Sequence, residues 1–471
     1  MSCCAPARNP SEEYDVAIVG GGLSGVYMAY QLQKHNNNLR VAIFEASGHL
    51  GGRLFSVDND EDNDDNQDEL GAMRIFKSQH KPMVDLIEEV GCSLVPFSLE
   101  DGENIFYYKG ERMVKNNAVI SKKNNKHPLE IKREVMKKFF EANGGEENVD
   151  AWNNKELRNL SLRDLFKKYG ATDEEFKSYI SYSGYDLLDD DVTASLQVAE
   201  GVLYGSSLSD DQCYIREGYQ EVCKRLADKC KAKVLLNTTV KSVKYAPDGK
   251  TRMLKCEGLS GKRNVSAKVV VLSLPRNPAE KLLKSKGSKG ISKDRVSVLD
   301  AVKVFPLFKC FVEWERVPGK KQWWKELGFL QGKSTTDLNI RQLHYYDNED
   351  LLVYSSGEYA VKWDKEFQKS PLKAKMKVLK MIKTVHNVTD IPDPDFEQTI
   401  YKYWPNGSHK WRKGVDVEKS AKLYAVGKDN NTDDATLYLC GDAMSQHQGW
   451  TMGCIQTVDM CFEAMKKRNV I

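Results

Sequence analysis

Three glycines, Gly20, Gly22 and Gly25, stand between the apolar run "YDVAIV" and "LSGVYMAYQLQK", a segment whose apolar residues recur at helical spacing. A backbone without Cβ atoms can approach a pyrophosphate closely, and the helix that follows turns its first N–H groups toward the anion. A second apolar run, "LRVAIFE", ends at Glu45, twenty residues beyond Gly25, where a carboxylate can accept hydrogen bonds from a ribose hydroxyl pair. Strand, glycine turn, helix, strand and acid in this order predict the first βαβ half of a dinucleotide-binding fold; alone they do not separate FAD from NAD. Directly after Glu45, Gly51-Gly52 permits a second close backbone approach, and Arg53 offers a fixed cation to phosphates. Further on, "ELGAMRI" (Glu69 to Ile75) places Arg74 behind Gly-Ala-Met, and near the C-terminus Gly441-Asp442 precedes Gly449-Trp450 by eight residues.

The acid Glu45, the run Gly51-Gly52-Arg53 and the pair Gly441-Asp442, in this order, resemble the flavin-containing amine oxidase family, over nearly the whole chain. The resemblance implies FAD as cofactor, held by Gly20, Gly22, Gly25, Glu45 and Arg53 at the phosphate and ribose end, with Val240 on a later strand. It implies that Gly71, Met73 and Arg74 run past the flavin, and that Gly441, Asp442, Trp450 and Thr451 reach its ribityl chain and ring. Within the family, "ELGAMRI" is similar to the L-amino-acid oxidases, in which the arginine, here Arg74, clamps the substrate carboxylate. A guanidinium presents two parallel donors that match a carboxylate and so fix the α-carbon as well as bind it. The competing reading is an arginine paired with an internal acid or with an FAD phosphate.

The same resemblance assigns Tyr354 in "LLVY" as a second carboxylate partner and Trp450 as a wall of the substrate cage. It assigns Lys309 in "FPLFKCFVEWE" as the lysine that holds a water beside flavin N5, with Lys303 as the rival if the register is wrong. A strand tyrosine is otherwise ordinary packing, and a strand lysine ordinarily snorkels to solvent. The implied activity is oxidative deamination of an L-amino acid to a 2-oxo acid and ammonia by hydride transfer to flavin N5, oxygen becoming hydrogen peroxide. An amine or polyamine oxidase, an amino-acid flavin monooxygenase of the same family, and a FAD-bound sensor without turnover are the alternatives.

These residues need elements to place them. The implied fold class is α/β: a glutathione-reductase-like Rossmann FAD-binding domain built from residues 12–75, 212–297 and 415–471, with an α+β substrate domain from 76–115 and 298–414. A helical insertion is expected over 116–211, where "IKREVMKKFF" and "LRDLFKKY" show helical spacing and Thr172 with Glu175 makes a capping box. Strands are expected in "AKVLLNTTVKSVKYA", "AKVVVLSLP", "FKCFVEWE" and "LLVYSSGEY", and "ATLYLCGDA" opens a C-terminal helix.

Composition restricts the rest. The 471 residues exceed one ordinary core, so two or three domains with clefts between them are expected. Seventy basic against 67 acidic groups, dispersed and leaving a net charge of +3, point away from a nucleic-acid partner. No apolar run reaches the roughly 18 residues of a membrane span. The first residues lack the apolar stretch of a signal peptide, and the eleven cysteines show no paired close spacing, so the expectation is a cytoplasmic protein, or a secreted one whose leader is missing. The expected partners are an amino-acid substrate and oxygen; a homodimer is one option for an assembly that is not legible. Asp58, Asp60, Asp62, Asp64 and Glu69 fall at calcium-loop positions, but Asn63 stands where the loop needs glycine, so a solvated excursion is expected and no metal.

Overall fold

An apolar run with no polar alternation belongs to a strand covered on both faces. In the computed structural model, Val16 to Val19 form such a stretch, none of them more than 5% exposed, within the strand Glu12–Val19. The structure describes residues 12–58, 67–96, 98, 103–120, 126–195, 198–199, 211–317, 319–346, 351–428 and 435–471. Val41–Phe44 and Gly261–Ser273 flank the first strand in parallel register, with Ile18 opposite Ile43 on one side and Val271 on the other. Lys233–Leu235 extends the sheet beyond Val41–Phe44. On its other edge the long strand Gly261–Ser273 changes partner: it pairs antiparallel with Arg252–Gly258, then parallel with Leu437–Cys440. Thr238–Tyr245 completes the antiparallel side of this seven-stranded sheet.

The strand's period of two sends Val16 and Ile18 into one core and Ala17 and Val19 into another. The first core is closed by the helices Leu23–His35, Tyr219–Asp228 and Thr451–Lys467, and the helix Lys81–Glu89 adds Met83, Val84, Leu86 and Ile87 to it. This is a doubly covered, mostly parallel Rossmann-type sheet, as expected for FAD binding.

A second seven-stranded sheet runs in the order Asp395–Trp411, Val302–Glu313, Leu351–Ser356, Gln342–Tyr345, Gly332–Thr336, Ile105–Tyr108, Glu111–Val114. Its register sets Lys309 opposite Tyr354 on one side and Lys402 on the other. A small sheet of Ile75–Phe76, Gln212–Ile215 and Leu94–Pro96 ties the segment after Arg74 to a distant strand. Between them, Pro128–Ala142, Lys155–Asn159, Leu162–Lys168 and Asp173–Ser183 form a helical block with its own core. The predicted capping box is present: Glu175 N donates to Thr172 Oγ1 at 3.2 Å, and Thr172 N to Glu175 Oε2 at 2.7 Å. No helix among the described residues is long and apolar enough to cross a membrane. Of the calcium-loop positions, Asp60, Asp62 and Asp64 lie outside the described residues; Glu69 faces inward, taking hydrogen bonds from Tyr219 N at 2.7 Å and Ser56 Oγ at 3.0 Å.

Candidate active site

The glycine turn is fixed by close approaches that no other residue allows. A Cβ on Gly25 would lie 2.0 Å from the carbonyl of Gly20, and one on Gly20, at φ +106, would lie 2.2 Å from that of Ser273. Gly22 opens the helix Leu23–His35 with no side-chain cap and no acid in the first turn, so its leading N–H groups are left to an anion. The second glycine pair packs onto the first, Gly51 N donating to Gly21 O at 2.9 Å. Glu45 closes the corner: its carboxylate accepts from Gly21 N at 2.7 Å and from Ser47 N at 2.7 Å. Thr238 N donates to the Glu45 carbonyl at 2.7 Å, which brings the buried Val240 to the same corner. An uncapped helix N-terminus beside a strand-end carboxylate is what the pyrophosphate and ribose of FAD require, so the residues present fit this cofactor.

Two residues expected on the cofactor, Arg53 and Asp442, meet each other. Arg53 donates with both terminal nitrogens to the Asp442 carboxylate, and Nη1 also reaches the Gly407 carbonyl at 3.2 Å. Burial pushes the Asp442 carboxyl up, but Arg53 and His409 outweigh it and hold it below the usual range. Gly441, at φ +137, donates its N–H to Thr457 Oγ1 at 2.9 Å. Trp450 precedes the helix Thr451–Lys467, whose first turn begins at Thr451 and has no side-chain cap.

The segment from Glu69 to Arg74 is threaded through these parts. Gly71 N donates to Phe55 O at 3.1 Å and Ala72 N to Arg53 O at 3.0 Å. A Cβ on Gly71 would fall 2.1 Å from the Arg53 carbonyl, so the approach that demands glycine here is to the chain's own backbone. Trp404 Nε1 donates to Leu70 O at 2.7 Å, and Lys309 Nζ donates to Glu69 O at 2.7 Å and Gly71 O at 2.6 Å. The structure separates the two candidate lysines: Lys309 is 4% exposed, whereas Lys303 pairs with the carboxylate of Asp190. Burial drives Lys309 down from the ordinary lysine range, opposed by the carboxylate of Glu69, and drives Glu69 up.

Arg74 is half-buried, and its one hydrogen-bond partner among the described residues is the hydroxyl of Tyr185, 2.8 Å from Nη2. No carboxylate pairs with it among those residues. Its guanidinium carbon stands 5.8 Å from the Trp450 ring centre, and Trp450 rests on Phe76 and His80 at 5.2 and 5.0 Å between centroids. Tyr354 is 8% exposed and meets Tyr185 edge to face at 6.0 Å; Lys309 Nζ is 5.6 Å from its ring. Met73, also 8% exposed, accepts a hydrogen bond from the Tyr346 hydroxyl on its sulfur at 3.5 Å. The predicted residues Arg74, Lys309, Tyr354, Met73 and Trp450 therefore converge. Tyr185 was not signalled by the sequence: it follows Gly184, a left-handed helix stop at φ +76, and that marks a turn without marking a function.

The chain is similar to known proteins along most of its length. The profile of the flavin-containing amine oxidoreductases matches residues 23–457. An uncharacterized protein of Acanthamoeba polyphaga mimivirus is 23% identical over 97% of this chain and 95% of its own length. The L-amino-acid oxidase of Bothrops pauloensis is 25% identical over 73% of this chain and 68% of its own. A solved structure of putrescine oxidase bound to putrescine superposes with a TM-score of 0.66 at 18% identity, covering 98% of this chain and 99% of that one.

Proposed function

The chain belongs to the family of flavin-containing amine oxidoreductases, with FAD as its cofactor, and from that premise we propose that it oxidises an L-amino acid. The α-carbon and amine lose two electrons and two protons to give an imino acid, which hydrolyses to a 2-oxo acid and ammonia; oxygen becomes hydrogen peroxide. Arg74 favours this reading: a half-buried guanidinium beside the aromatic wall of Trp450 has a phenol for partner and no carboxylate among the described residues. An unpaired buried charge costs several kcal/mol, and an arriving carboxylate removes that cost. The L-amino-acid oxidase relatives support the reading, while the likeness to putrescine oxidase carries the fold, since a diamine has no carboxylate to meet Arg74.

In this reading Arg74 and Tyr354 hold the carboxylate, and Trp450 limits how the rest of the substrate can turn. Lys309 fixes the backbone of Glu69 and Gly71 and keeps one N–H for a water in the site. FAD supplies the two-electron acceptor and its reoxidation by oxygen. Mixing the yellow protein with twenty L-amino acids, several D-amino acids and putrescine, and following flavin bleaching and peroxide, tests the proposal; no bleaching by any L-amino acid would sink it. Arg74→Ala is expected to raise KM about a hundredfold or more, because two charge-assisted hydrogen bonds of roughly 1.5 to 3 kcal/mol each are lost.

A further inference from the structure

We infer that Tyr185 is a third carboxylate-binding group of this site, and that the Asp186–Arg341 ion pair sets its place; the inference rests on the carboxylate reading of Arg74. A phenol can accept one hydrogen bond and donate another at the same time. The Tyr185 oxygen already accepts from Arg74 Nη2 at 2.8 Å, and its own proton has no acceptor among the described residues. Tyr354, whose ring meets that of Tyr185 at 6.0 Å, is likewise without an acceptor for its phenolic proton among them. A guanidinium and two phenolic O–H groups thus converge with no anion of the protein between them. Guanidinium N–H and phenolic O–H groups are donors that a carboxylate accepts from.

Tyr185 comes from the helical block, and its neighbour fastens it to the substrate sheet. Asp186 accepts from Arg341 Nε at 2.8 Å and Nη2 at 2.7 Å, a two-point contact that fixes direction as well as distance. Arg341 is 2% exposed, sits at φ +54 and also donates to the Thr336 carbonyl. Its backbone bridges to that of Tyr354. One buried arginine therefore sets both tyrosines relative to each other.

The test titrates the FAD-loaded protein with benzoate, which has a carboxylate, and with benzylamine, which has none, reading the flavin absorbance. Tyr185→Phe is expected to weaken benzoate about tenfold or more, the loss of one donor to a charged acceptor, and to shift benzylamine less than about twofold. With the best L-amino acid it should raise KM more than it lowers kcat. Asp186→Asn should weaken benzoate less than Tyr185→Phe does, and the double variant should lose less than the sum of the two single losses, because the ion pair acts largely through that hydroxyl. Unchanged benzoate affinity in Tyr185→Phe, with affinity lost in Arg74→Ala, would overturn the inference and leave the carboxylate reading standing. Unchanged affinity in both would remove the carboxylate reading and the inference with it. Should Tyr185→Phe not accumulate as yellow protein, Asp186→Asn decides alone: weaker benzoate with unchanged benzylamine supports the assignment, and no change in either overturns it.

Discussion

Burial opposes a charge on Lys309, and its Nζ donates to two carbonyls of one segment, Glu69 O and Gly71 O. The same atoms hold the backbone that leads to Arg74, so removing the ammonium leaves two carbonyls unsatisfied and frees the segment. Lys309→Met is expected to lower turnover about a hundredfold or more, the usual scale for a positioned proton-handling group, while Lys303→Met changes it less than about threefold. Oxygen consumption measured at saturating substrate separates the two, and equal effects would mean that neither lysine acts at the flavin. The sequence offered both lysines six residues apart, since strand spacing alone does not say which one faces inward. The choice is made by pairing across the sheet, where Lys309 stands opposite Tyr354. Tyr185 was harder still to see, because its partner Arg74 lies 111 positions away and neither residue belongs to a shared motif.

The glycine turn was legible because it is local: a strand, three glycines and a helix all fall within residues 12–35. Its glycines nevertheless do different jobs, and substitution separates them. A Cβ at Gly25 would meet Gly20 O at 2.0 Å, so Gly25→Ala pushes the helix Leu23–His35 off its strand and costs stability with or without cofactor. A Cβ at Gly22 would meet nothing nearer than Gly51 O at 3.7 Å, an ordinary contact. Gly22→Ala is therefore expected to leave the thermal midpoint of the cofactor-free protein within about 2 °C, while weakening FAD at least about tenfold, or 1.4 kcal/mol. Equal loss of apo stability in both variants would show that Gly22 packs the fold and makes no room for a pyrophosphate. Elements whose partners are remote were not legible. The small sheet joins two residues at Ile75–Phe76 to Gln212–Ile215, too short for any periodicity to register, and the Arg53–Asp442 pair spans 389 positions.

Among the described residues, four buried histidines are held below their ordinary pKa, and they shape how the protein responds to acid. Burial pushes His80 and His386 from 6.5 down to about 4 and His409 to about 3, and lowers His344 as well. They are spread through the structure: His80 lies against Trp450, His409 donates its influence to Asp442, and His386 meets Tyr345 across 2.8 Å in the core of the substrate sheet. Between pH 6.5 and 4 the unfolded chain protonates these imidazoles while the folded one does not, so the unfolded state binds more protons and stability falls as pH falls. At 1.36 kcal/mol per pH unit, each histidine held near 4 removes roughly 3 kcal/mol by the bottom of that window. Glu69, Asp186 and Asp459, each raised by burial, work in the opposite sense, three groups against four. Asp442, held low, loses its contribution only as pH drops beneath the ordinary carboxylate range. The urea midpoint is therefore expected to decline continuously from pH 6.5 to 4.5, and His386→Gln, remote from the flavin site, should flatten that slope; a midpoint constant across the window would show that these imidazoles are already protonated in the native protein.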